Sequence, residues 1–146
     1  MEESIKVTGQ ITYVLKDENG KVKEKGTMPN LIVTAGKQFI ADQLSTTPGA
    51  TKMTHMAVGT GTTAAAAGDT TLETESDRNA VTSSTDSGAV LTVVGDWAAG
   101  DGTGAITEAG IFNAGSNGTM LCRSVFSAIN KGAGDTLSLS WAITIS

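Results

Sequence analysis

The residues from Val58 to Ala64 read Val-Gly-Thr-Gly-Thr-Thr-Ala. A Gly-x-Gly after an apolar segment can bring backbone N–H groups against a dinucleotide phosphate, because glycine lets the chain approach a ligand closely. That chemistry also needs a helix opening at a third glycine and an acidic residue at the end of a second parallel strand. Here Ala64–Ala67 is cut short by Gly68, and no Gly-Lys-Ser/Thr follows to make a P-loop. The expected role of Gly59 and Gly61 is a turn at a strand end.

Acidic residues offer two further chemistries. Asp69, Glu73, Glu75 and Asp77 could gather around calcium or magnesium, but their spacing is not that of an EF-hand, and a solvated loop with Leu72 tucked inward is expected. Asp96, Asp101 and Glu108 could supply a catalytic carboxylate pair, although Asp101 sits in a Gly-rich segment that reads as an exposed tip. His55 is the only histidine and Cys122 the only cysteine. A Ser-His-Asp triad would hang on His55 alone, with no Gly-x-Ser-x-Gly elbow to support it. Cys122 lies in an apolar run and reads as a small core residue. No catalytic residue, cofactor or metal site is therefore assigned.

The elements that must carry these residues are mostly strands. Leu137, Leu139, Trp141, Ile143 and Ile145 alternate with Ser138, Ser140, Ala142 and Thr144, the period of a strand with one buried face. Ile5, Val7, Ile11, Tyr13 and Leu15 repeat that period near the start, with Gly9 in the remaining slot. Asn19-Gly20 marks a hairpin to a return strand at Val22–Thr27, and Gly115–Gly118 marks another between Ile106–Asn113 and Thr119–Ile129. Further strands are predicted at Met56–Val58, Asn79–Ser84 and Ala89–Trp97, making about eight. One helix is predicted over Ala35–Leu44, with Thr34 as its N-cap and Gly36, Phe39, Ile40 and Leu44 near one face. One short helix among many strands points to an all-β fold, an antiparallel β-sandwich of jelly-roll-like character, in one domain spanning 1–146.

Composition narrows the function classes. The 146 residues are 39% hydrophobic and 17% charged, with a net charge of −5. Neither a disordered polyelectrolyte nor a nucleic-acid groove matches that balance, since phosphate recognition needs a concentrated basic field. No apolar run approaches the ~18–20 residues of a spanning helix, and Met1-Glu2-Glu3-Ser4 is acidic where a secretory leader is basic. A chain that stays where it is made, free of nucleic acid and membrane, is the expectation. Asn117-Gly118-Thr119 matches a glycosylation sequon but reads as hairpin chemistry. Lys21, Lys23 and Lys25 read as an edge strand guarded against aggregation, with docking of an acidic partner as the alternative.

Three stretches together resemble small structural proteins of tailed-bacteriophage virions: Met56–Glu75, Ile106–Ser146 and Leu31–Ser45. Gly59, Gly61, Asp69 and Leu72 match a Gly-x-Gly and Asp-x-x-Leu turn pattern, and Glu108, Gly110, Ile111 and Phe112 match Glu-x-Gly-Ile-Phe. The resemblance implies that these are structural positions rather than a binding site. It also implies a virion component, most similar to capsid decoration or cement proteins, that binds the major capsid protein on the shell exterior as a homo-oligomer, dimer or trimer. A tail-, collar- or fibre-associated protein is the alternative, in which Trp97 and Tyr13 could stack on sugar rings. A small hydrolase is a third reading. Partner contacts are expected in the arm around Met1–Ile5 and in the loops Thr46–Lys52 and Ala98–Gly104, with Ile5, Thr51, Lys52 and Asp101 as the named residues.

Overall fold

The computed structural model describes residues 2–146. Ten strands and one helix run in the order β1 (Val7–Lys16), β2 (Val22–Pro29), β3 (Leu31–Ile32), α1 (Thr34–Gln43), β4 (His55–Gly59), β5 (Glu75–Ala80), β6 (Ser83–Ser87), β7 (Val90–Trp97), β8 (Gly104–Phe112), β9 (Met120–Lys131) and β10 (Thr136–Ile145). They form two antiparallel five-stranded sheets, ordered β2-β1-β10-β7-β6 and β3-β9-β8-β4-β5. The fold is an all-β sandwich. Pairing of β1 with β10, and of β10 with β7, joins strands far apart in sequence and gives the winding its jelly-roll-like character.

The alternation in β10 does what its period dictates. Leu137, Leu139, Trp141 and Ile143 are all buried, and they stand opposite Leu15, Tyr13, Ile11 and Gly9 of β1. Trp97 and Val93 of β7 complete this inner face, and Met56, Val58, Ile106, Ala109 and Ile111 meet it from the other sheet. Both tryptophans lie wholly within this shared core. Trp97 is thus unavailable for stacking on a sugar, a correction to the role offered by its aromatic character alone.

Turn chemistry fixes both foreseen hairpins. Asp17 accepts hydrogen bonds from the N–H groups of Asn19 and Lys21, and Gly20 takes φ of 80°. Between β8 and β9, Asn117 and Gly118 both have positive φ, the conformation a tight antiparallel reversal needs. β2 is indeed an edge strand, and its Lys23 pairs with the buried Asp135 at 2.8 Å.

Four local expectations are corrected. The stretch expected as one strand over Asn79–Ser84 is a corner. The Val81 N–H donates to Thr54 O on one sheet and the Thr82 N–H to Val94 O on the other, so the chain changes sheets there. The helix cap is Val33, not Thr34, and it makes no side-chain cap bond; the Thr34 N–H, at the first helical position, donates to the distant Ala67 O. Leu44 ends the helix 83% exposed, and Ile5 lies outside β1 and is 72% exposed. Neither extends the buried stripe assigned to it.

Candidate functional site: a strap seated on a buried ion pair

β8 and β9 are buried on both faces from Ile106 to Phe112 and from Met120 to Ser124. One face belongs to the shared core. The other is covered by the chain between β4 and β5, residues 60–74, which crosses the outside of its sheet as a strap. Leu72 enters a second apolar cluster with Val33, Ala57, Phe112 and Met120. Beside that cluster the seat is polar.

Glu108, fully buried, receives five hydrogen bonds. The N–H groups of Gly61 and Thr74 donate to Oε1 at 3.0 and 2.7 Å, and the Glu73 N–H donates to Oε2 at 2.9 Å. Arg123 supplies the other two, from Nε at 3.1 Å and Nη2 at 2.9 Å. The guanidinium also holds the strap directly, donating to Asp69 Oδ2 at 2.8 Å and Thr63 O at 3.0 Å. Thr107 adds a hydroxyl bond to Gly61 O at 2.7 Å. The glycine-rich loop therefore does cradle an anion with backbone N–H groups, and the anion is the protein's own carboxylate.

Close approach explains the two glycines. A Cβ at Gly59 would overlap Thr74 O and Glu108 Oε1, and one at Gly61 would overlap Glu73 Cβ and Glu108 Oε1. Backbone and a buried carboxylate are poor at giving way. Gly59→Ala is expected to lower stability by about 1–3 kcal/mol, the range for overpacking a filled site, measurable as a lower urea midpoint with an unchanged slope.

Electrostatics tune the same seat. The Asp69 carboxyl is held below its ordinary value, first by the Ala66 N–H bond and then by Arg123, with burial opposing. The Asp135 carboxyl is lowered too, chiefly by the Lys23 hydrogen bond. A depressed folded-state value means fewer bound protons in the native than in the unfolded chain, so these carboxylates stabilise the fold above the ordinary value of 3.8 and that stabilisation disappears as pH falls through their folded values. Urea titrations are expected to show stability dropping as pH is lowered past 3.8, with a shallower drop in Asp69→Asn.

The other chemically suggestive residues do not converge. Asp96 lies exposed on β7 of the opposite sheet and accepts from Thr82, so it does not share a site with Glu108. His55 Nδ1 lies 2.8 Å from Thr54 Oγ1. Cys122 is buried, and burial pushes its thiol far up. Glu75 pairs with Arg78 while Asp69 pairs with Arg123, which divides the acidic stretch between separate partners. Among the described residues no group of three or more His, Cys, Asp or Glu side chains is placed to hold a metal ion. None of their helices is long and apolar enough to cross a membrane.

Of the eight motif residues, Ile111 lies in the core between the sheets and the other seven fall into place as strap and seat. Gly59, Gly61, Asp69 and Leu72 belong to the strap and its root, and Glu108, Gly110 and Phe112 belong to the face beneath it. Gly110 leaves room for Leu72 and the Phe112 ring. The expected contact residues form no single surface: Lys52 lines a groove at the Ile143 end of β10, and Asp101 lines a depression at its Leu137 end. Thr51 exchanges hydrogen bonds with Asn113 across the loop.

Arg123 was not singled out by motif spacing. A lone arginine inside the apolar run Met120–Phe126 is nonetheless a signal, because a charge in a core strand demands a partner. The midpoint between Glu108 and Arg123 falls in the Gly115–Gly118 turn, so a hairpin there brings the two together.

Compared with known proteins, the chain matches no family model, no curated protein and no solved structure.

Proposed function

We propose that this chain is a structural component of a tailed-phage virion, a decoration protein that binds the major capsid lattice and reinforces the shell from outside. One observation carries the reading: motif residues from distant stretches are tied together, Gly61 donating to Glu108 directly and Arg123, outside the motifs, bridging Glu108 to Asp69. Such an arrangement secures a body rather than presenting reactive groups. Both edges of the β2-β1-β10-β7-β6 sheet are guarded, one by the lysines of β2 and the other by the wholly polar, exposed β6. Contacts with a lattice then fall to the ends and loops. Repetition over many sites lets modest contacts add, and a protein that binds only the assembled shell stabilises it by mass action.

The test is a mass-calibrated count of this chain in purified particles, paired with thermal challenge of particles lacking it. Hundreds of copies and earlier rupture without it are expected. A few to a few dozen copies assign it to the tail or collar instead, and equal robustness removes the reinforcing role. Loss of a hydrolytic turnover in His55→Ala or Asp101→Asn would replace both with an enzyme.

A further inference from the structure

At the Ile143 end of the sandwich, β10, β7 and α1 diverge and leave a groove of about 440 Å³. Its apolar wall includes Val7, Phe39, Ile40, Met53, Leu91 and Ile143. A second depression of about 450 Å³ shares Val7 and Ile40 with it, so the two form one trough, whose far end is lined by the chain's own Ile5 and Lys6. Lys37 and Lys52 stand exposed along this trough, with Asp86 on the β6 side. The segment Glu2–Lys6, which belongs to no strand or helix, borders that far end through Ile5 and Lys6. Its root is pinned by reciprocal backbone bonds between Lys6 and Ser146, at 2.7 and 2.9 Å. Beyond that root, Ile5 is 72% exposed and Glu2 and Glu3 are exposed carboxylates.

We propose that the trough receives the Glu2–Ile5 segment of a second copy of this chain. The partner copy's Ile5 packs against the apolar wall formed by Phe39, Met53, Leu91 and Ile143, and its Glu2 and Glu3 supply charge opposite to Lys37 and Lys52. Arm and trough occupy the same end, so one twofold axis lets each copy give and receive, the self-complementary arrangement of a closed dimer. Four extended residues reach about 13–14 Å, enough to cross from a root on one copy into a trough on its neighbour. This deepens the homo-oligomer included in the decoration reading, and it is tested on the isolated chain, so its failure leaves the particle count untouched.

Sedimentation equilibrium of the full chain is the experiment. Wild type is expected to dimerise at micromolar concentration, with Ile5→Asp weakening the dimer by about tenfold or more while circular dichroism stays unchanged. Lys37→Glu is expected to weaken it as well, and Glu3→Lys in the same chain to restore it, which a general loss of folding would not do. A monomer up to about 1 mM overturns the proposal. So does a dimer indifferent to Ile5→Asp. A monomeric wild type whose binding to shells is lost in Ile5→Asp also overturns it, assigning the arm to a different chain.

Discussion

Arg123→Ala is expected to cost about 3–5 kcal/mol, because it strips the fully buried Glu108 carboxylate of its one cationic partner among the described residues. In a domain whose total stability is of order 5–15 kcal/mol, that is a large fraction. The loss reaches beyond one ion pair, since the guanidinium also holds Asp69 and Thr63. Replacing both charges tells a different story: in the double variant Arg123→Met with Glu108→Gln, the amide oxygen still accepts from the Gly61 and Thr74 N–H groups, the Glu73 N–H loses its acceptor, and no charge is stranded. A double-mutant cycle read by urea denaturation is expected to show the double variant less damaged than the sum of the two single ones. Additive losses would mean that the two side chains act independently.

Leu72→Ala is the second large effect, expected at about 2–5 kcal/mol, the range for truncating a buried leucine. Leu72 fills the cluster made by Val33, Ala57, Phe112 and Met120, so the loss opens the outer face of the sheet rather than the core between the sheets. Hydrogen exchange separates the two. Amides bonded through the strap, such as those of Gly61, Glu73 and Thr74, are expected to lose protection first, while β1 and β10 retain theirs. Equal loss across both sheets would mean that the strap has no stability of its own to lose.

How much of this was legible in the sequence depended on how many faces a strand buries. β1 and β10 bury one face, so their alternation announced both strands and most of their core residues, failing at the ends, where Ile5 and Ile145 are exposed. β8 and β9 bury two, which erases alternation; around Cys122 and Arg123 the in-or-out assignment could not be read from period alone. The second cover comes from a segment with almost no large apolar residue, where Leu72 alone betrays an inward contact. Gly59 and Gly61 were legible as turn glycines, but their close approach to a carboxylate was hidden, because Glu108 comes from a strand 47 residues beyond Gly61. Thr34 illustrates the same limit: a local rule named it as the cap, whereas it is the first helical residue and its N–H is taken by the Ala67 carbonyl of the strap.

The seat of the strap is made locally, whereas the strap itself arrives from far upstream. Glu108 and Arg123 are brought together by one hairpin, but the groups that bind them lie 34 to 60 residues earlier in the chain. Closing loops of that length costs entropy that no strap contact repays until the hairpin exists. The strap is therefore a late arrival on the folding route. In a chevron plot its substitutions fall on the unfolding arm, quickening escape from the native state and leaving the refolding rate nearly alone.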